Sequence, residues 1–253
     1  MKLGWFDRLH MHHRLWRYRF KSERPCIRYL RGCDLEGRTA IDIGANHGVY
    51  AYYLSKKVGP DGHLFAFEPQ PELAPHLAAV KETYGLRNTT IINQGLSSSP
   101  GTLTMQRSKP GSGGASVHLS TAAGLQKLEI PVTTLDDYFG DIEHQPISFI
   151  KCDVEGHELD VLRGGQQMLS TDMPTLLLEC HEERATSGEL FSYLTDLGYD
   201  GFFFFVDPKD HASLLRKHKG KYVHFSEFAN YPYPRPSVMH RNYIFLREGL
   251  RPN

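Results

Sequence analysis

No window of the 253 residues approaches the roughly 20 apolar side chains that a bilayer-spanning helix needs, and apolar runs such as Gly201 to Val206 have the length of strands. Cysteine is scarce. The four thiols, Cys26, Cys33, Cys152 and Cys180, form no C-x-x-C pair and are too few for a disulfide scaffold, so a reduced, cytoplasmic setting is expected. Net charge is also missing, with 29 basic against 29 acidic side chains. A neutral chain that is 40% apolar can bury enough surface to offset its ordering entropy, which excludes dominant disorder. What remains is a single domain of ordinary size.

The charge is unevenly placed. Residues 1–31 carry nine basic side chains against Asp7 and Glu23, a local net charge of +7. Trp5, Phe6, Leu9, Leu15, Trp16, Tyr18 and Phe20 are interleaved with Arg and His, so the continuous apolar stretch of a signal peptide is not expected. Residues 1–37 read as a basic, amphipathic helical extension to a domain at 38–253. Its aromatic face is expected to pack on that domain, leaving the basic face solvated. The alternative is a peripheral contact with an anionic partner: nucleic acid, membrane surface or charged glycan.

From Thr39 onward, short β-rich runs alternate with helical stretches, the pattern of a parallel sheet covered by helices. Strands are predicted at Thr39 to Gly44, Leu64 to Glu68, Thr89 to Asn93, Ser148 to Asp153, Thr175 to Cys180, Gly201 to Val206 and Tyr243 to Arg247. Helices are predicted at Val49 to Lys57, Pro71 to Tyr84, His157 to Leu169 and Glu189 to Leu197. Between the third and fourth strands, Gly101 to Arg107, Ser116 to Leu119 and Glu129 to Thr134 read as a β-rich insertion around a Gly/Ser loop at Pro110 to Ala115. The fold class is therefore α/β: a Rossmann-like, doubly wound sheet of about seven strands with that insertion.

The first strand runs into a glycine turn, Gly44-Ala45-Asn46-His47-Gly48, that opens a helix. Glycines there allow positive φ and close approach of a ligand to the backbone. The second strand ends in Glu68, and a carboxylate in that place can accept both hydroxyls of a ribose. A dinucleotide site would require G-x-G-x-x-G, which is absent, and Asp42, two residues before the first glycine, would repel a diphosphate but attract an ammonium. Together these features favour S-adenosylmethionine. An NAD or nucleotide-sugar oxidoreductase on a similar fold, and a non-catalytic nucleoside-binding scaffold, remain as alternatives.

Further segments stand out: Ile41 to Asn46, Gly59-Pro60-Asp61-Gly62 leading into Phe65 to Pro69, Thr133 to Asp137, and above all Phe149-Ile150-Lys151-Cys152-Asp153-Val154-Glu155-Gly156-His157-Glu158 with Val161 to Gly164, then Pro174 to Glu179 and Asn242 to Leu246. In these segments the chain resembles the FkbM family of class I, S-adenosylmethionine-dependent methyltransferases. The resemblance implies an O-methyltransferase acting on hydroxyls of sugars, glycolipids or other natural products, with no nucleic-acid partner. It also implies that Asp42, Gly44, Asn46 and Gly48 surround the methionine end of the cofactor, that Glu68 holds the ribose, and that Asn93, Gln94 and Gly95 hold the adenine. His47 is expected to be an exposed turn residue.

Methyl transfer to a hydroxyl gains from a base that removes its proton. Asp153, Glu155, His157, Glu179 and His181 are the candidates, with Asp153, Glu155 and His181 foremost and Asp153 also beside the cofactor. Against a catalytic role for Glu155, it could with Glu158 cap the first turn of the following helix. Asp153, Glu155, Glu179, His181 and Glu182 could together hold a divalent ion, but they lack any fixed ligand spacing, and no metal is expected. Acceptor recognition is expected at the Gly111 to Gly114 loop, the aromatic run Phe202 to Phe205 and the Tyr222 to Tyr233 segment.

Overall fold

A computed structural model describes residues 2–118, 123–180, 188–206, 220–230 and 242–252. Helix α1 (Trp5–Arg17) continues through a π-helical turn (Tyr18–Ser22) into α2 (Arg24–Gly32). The alternation that follows is β1 (Thr39–Ile43), α3 (Val49–Val58), β2 (His63–Phe67), α4 (Leu73–Tyr84) and β3 (Thr89–Ile92). Next come β4 (Gly95–Leu96), β5 (Gly101–Arg107), β6 (Gln126–Thr133) and α5 (Leu135–Gly140). The remainder is β7 (Ile147–Cys152), α6 (Glu158–Arg163), α7 (Gln166–Asp172), β8 (Thr175–Glu179), α8 (Glu189–Asp196), β9 (Tyr199–Val206), β10 (Gly220–His224) and β11 (Asn242–Arg247).

Eight strands form one sheet in the order β10-β9-β11-β8-β7-β1-β2-β3. β8, β7, β1, β2 and β3 run parallel, while β11 is antiparallel to both β8 and β9. β1 is buried at all five positions, as a strand covered on both faces must be. One face packs Phe65, Phe67, Leu135, Leu162 and Leu169 under α5 to α8, and the other packs Ala40, Leu54, Leu64 and Phe149 under α2 and α3. The strand order reverses at β1, between β2 and β7, and in an open α/β sheet ligands bind outside the strand ends at such a point.

The β-rich insertion is a separate three-stranded sheet, β4-β6-β5. Two expectations change. Ser116 makes only an isolated bridge with Gln106 and begins no strand. The helix expected over His157 to Leu169 is broken at Gly164 and Gly165 into α6 and α7, and glycine lets the break pack closely: a Cβ on Gly164 would lie 2.0 Å from the Ser97 carbonyl oxygen and one on Gly165 2.7 Å from Leu135. The strand β10 and helix α5 had no counterpart among the expected elements.

The amino-terminal helix differs most from expectation. Met11 and Leu15 pack with Leu3 against Val49, Ala79 and Val80 of α3 and α4, whereas Trp5, Phe6, Leu9, Trp16 and Phe20 face outward. The aromatic face is therefore not the packed one. Among the described residues no helix is long and apolar enough to cross a membrane.

Candidate active site

The turn after β1 is held by its neighbours on both sides. Gly44 has φ +78°, and a Cβ there would stand 2.0 Å from the Asp153 carbonyl oxygen, so glycine is what lets the ends of β1 and β7 meet. The N–H groups of Gly44 and Ala45 donate to the Phe67 carbonyl at 3.0 and 2.9 Å. Asn46, at φ +47°, donates its N–H to Glu68 Oε2 at 2.8 Å, and Gln70 donates to Oε1 at 3.0 Å. Each oxygen of Glu68 thus takes one backbone donor and keeps a second lone pair for a ligand hydroxyl. Burial raises the Glu68 pKa, and those hydrogen bonds pull against the rise.

Asp42 lies on β1, 1% exposed, with Oδ2 buried and without a hydrogen-bond partner. Burial pushes its pKa up to about 7; Lys151 opposes the rise, and Asp153 and Glu68 reinforce it. A desolvated carboxylate oxygen with nothing to accept from is costly unless a cation or donor completes it. The residues therefore fit the ammonium of a methionyl group.

Asp42, Gly44, Asn46, Glu68, Gln94, Gly95, Asp153 and Glu155 all line one cavity of about 640 Å³. Two residues expected there do not. Asn93 is exposed and braces the strand end from outside, donating Nδ2–H to the Glu68 carbonyl at 2.8 Å. Gly48, at φ +81°, starts α3, and a Cβ on it would meet Leu77 and Val80 of α4 at 3.0 and 3.4 Å, so its glycine serves helix packing. His47 is half-buried on the cavity wall beside His76, and burial lowers its pKa to about 4.

The opposite wall is acidic around one buried cation. Lys151 on β7 is 1% exposed, with Nζ 3.9 Å from Asp153 Oδ2, 4.0 Å from Glu179 Oε2 and 5.1 Å from the Tyr50 ring centroid. Burial alone would lower its pKa, but Asp153, Glu179 and Glu23 outweigh it and hold the ammonium charged. Glu179 is pushed up to about 8, first by burial and next by the Asp153 charge. Glu155 takes a left-handed φ of +52° on the cavity wall, and its carbonyl accepts from Ser116 Oγ at 2.8 Å. Capping of the turn falls to Glu158, whose Oε1 accepts from the N–H groups of Gly156 and Val154 at 2.9 and 3.2 Å. His157, half-buried in the same wall, meets Ser97 Oγ at 3.0 Å. His181 and Glu182 lie outside the described residues. Among the described residues no group of three or more His, Cys, Asp or Glu side chains could hold a metal ion.

Part of the wall comes from the amino-terminal segment, which was not expected at the site. Arg14, Arg17, Tyr18, Ser22 and Glu23 all line the cavity. Glu23 accepts from Tyr50 Oη and Asn242 Nδ2, each at 3.1 Å, and burial raises its pKa. Its one local signal was that it is one of two acids in a strongly basic stretch. Gly111, Ser112 and Gly113 of the insertion loop also reach the cavity. Phe202 and Phe203 are core instead, and Tyr222 packs edge-on against Tyr29 away from the cavity.

Comparison with known proteins agrees with this architecture. A profile of the Methyltransferase FkbM domain matches residues 42–200. The hexuronic acid methyltransferase AglP of Haloferax volcanii is 31% identical over 208 residues, which are 81% of this chain and 73% of that protein. Among solved structures, a methyltransferase FkbM from Methylobacillus flagellatus aligns with 82% of this chain at 17% identity and a TM-score of 0.49, the match spanning 43% of that longer chain. A putative rRNA methylase from Clostridium thermocellum aligns with 90% of this chain and 97% of its own at 11% identity and a TM-score of 0.51, a likeness of fold alone.

Proposed function

This chain belongs to the FkbM family of methyltransferases, and on that premise we propose that it is an S-adenosylmethionine-dependent O-methyltransferase acting on a hydroxyl of a sugar, glycolipid or related small molecule. The relative named for a hexuronic acid supports the acceptor class. One observation carries the cofactor assignment: the partnerless, buried Oδ2 of Asp42 on the same cavity wall as Glu68. We read residues 38–253 as the catalytic domain and 1–37 as an extension that completes its cavity. The four cysteines of the chain, too sparse for a disulfide scaffold, fit a cytoplasmic setting.

S-adenosylmethionine supplies a methyl group already made electrophilic by its sulfonium. The protein's task is then alignment, charge compensation and proton removal. Asp42 balances the ammonium of the methionyl end. Glu68, held by two backbone donors, accepts from the ribose hydroxyls, and Gln94 and Gly95 edge the adenine. Across the cavity Asp153 accepts the proton of the acceptor hydroxyl. Glu179, protonated near neutral pH, limits the negative charge beside it, and Lys151 offsets what remains. Glu155 borders the acceptor side of the same wall.

Calorimetry distinguishes this reading from an oxidoreductase: the protein is expected to bind S-adenosylmethionine and not NAD. Labelled methyl transfer to a hydroxylated glycan would separate it from a non-catalytic scaffold. NAD binding, or cofactor binding with no turnover on any sugar, lipid or polyketide hydroxyl, would overturn it.

A further inference from the structure

The exposed face of α1 is large, apolar and aromatic. Trp5 is 67% exposed, Phe6 71%, Leu9 46%, Trp16 47% and, just beyond in the π-helical turn, Phe20 51%. Trp5, Leu9 and Trp16 stand at i, i+4 and i+11, one stripe of a helix, with Phe6 beside it and Met11 and Leu15 on the packed opposite side. By helical spacing Arg8 borders the stripe on one side and Arg17 on the other, and Arg19 and Lys21 follow in the π-helical turn. Lys21 Nζ lies 4.9 Å from the Trp16 ring centroid, and the Arg19 guanidinium 5.0 Å from that of Phe20.

We propose that this stripe is a peripheral docking surface for an anionic lipid bilayer. Aromatic rings inserted at the headgroup level between basic flanks are the pattern of a helix that lies in a membrane interface. A second copy of the chain is disfavoured because two segments of net charge +7 would face each other. Nucleic acid is disfavoured because phosphates require basic groups at the centre of the contact, where this helix places tryptophan and leucine. The same segment turns Arg14, Arg17, Tyr18 and Glu23 into the cavity wall. Docking therefore places the cavity beside the bilayer, which, granted the methyltransferase reading above, suits an acceptor sugar carried on a lipid.

The two tryptophans of the chain, Trp5 and Trp16, both lie on the stripe, so intrinsic fluorescence reports on it directly. Intact protein mixed with phosphatidylcholine–phosphatidylglycerol vesicles is expected to show a blue-shifted emission that brominated lipid quenches and high salt reverses, with little change on phosphatidylcholine alone. The double variant Trp5→Ser/Phe6→Ser retains Trp16 as reporter. It should bind such vesicles at least about tenfold more weakly while keeping its melting temperature and its affinity for S-adenosylmethionine. Should that variant fold poorly, Arg8→Glu/Arg19→Glu is expected to weaken binding in the same way. No shift on either vesicle would overturn the proposal, as would wild-type binding by the variants. So would the same shift on adding an oligonucleotide, or on concentrating the lipid-free protein with a doubling of mass. None of these readouts involves methyl transfer, so failure of docking and failure of the enzymatic reading are distinguishable.

Discussion

Asn46 donates its backbone N–H to Oε2 of Glu68 at 2.8 Å, tying the turn after β1 to the end of β2. With the Gln70 N–H on Oε1, Glu68 is a brace for the backbone as well as a surface for a ligand. Glu68→Ala is expected to leave two backbone donors unsatisfied, at about 1–3 kcal/mol each, so melting temperature and cofactor affinity should fall together. Glu68→Gln, which keeps one acceptor oxygen, should lie between. Thermal melts paired with calorimetry check this; an alanine variant that melts like wild type would contradict it.

Gly44 and Gly85 both adopt positive φ, at +78° and +64°, but only Gly44 has a neighbour in the way. Gly85→Ala should carry only the backbone strain, of the order of 1 kcal/mol. Gly44→Ala must also push apart the ends of β1 and β7, where Asp42 and Asp153 stand. It is expected to cost several-fold more and to abolish cofactor binding, as read by chemical denaturation and calorimetry.

Lys151, fully buried, offsets the charge of Asp153 and Glu23 beside a Glu179 that keeps its proton near neutral pH. Removing one partner of a buried pair costs about 3–5 kcal/mol, so Lys151→Met should melt early. Without the cation the carboxyl groups hold protons more tightly, so turnover should fall about a hundredfold and the surviving pH profile should move to higher pH. The raised Glu179 pKa should give the parent a step in kcat near pH 8, and Glu179→Gln should remove it. An unchanged profile in both variants would show that this wall only shapes the cavity.

The cofactor-free protein should lose stability as pH rises from about 4 to 8. Asp42 and Glu179 keep their protons in the fold up to about 7 and about 8, while in the unfolded chain they lose them near 3.8 and 4.5. The folded state therefore binds more protons across that window, and raising the pH disfavours it. The ammonium of the cofactor requires Asp42 ionised, so affinity should strengthen with pH up to about 7. Melting curves and calorimetry across this range test both slopes.

Much of the sheet was legible because its central strands are buried on both faces and read as short apolar runs between turns. The turn after β1 and the acid at Glu68 were legible for the same reason, since each stands at a strand end. Local pattern could not show that Gly48 and Asn93 support the wall from behind, because that depends on where α4 and the loop after β2 pack. Lys151 went unread as a site residue because a lysine inside an apolar strand has meaning only once Glu23 and Glu179 are placed around it. Glu23 is 128 positions from Lys151, a pairing that no spacing rule reveals. The aromatic stripe of α1 was visible, but its direction was not: Met11 and Leu15 filled the packed face and left the rings outside.

The most direct test is calorimetric titration of S-adenosylmethionine into the parent and the Asp42→Asn variant at pH 7.5. Saturable binding by the parent, and affinity reduced at least about tenfold by loss of one charge opposite the ammonium, is the predicted result. Equal affinity in both proteins, or no heat with S-adenosylmethionine where NAD gives a saturable signal, would contradict the account.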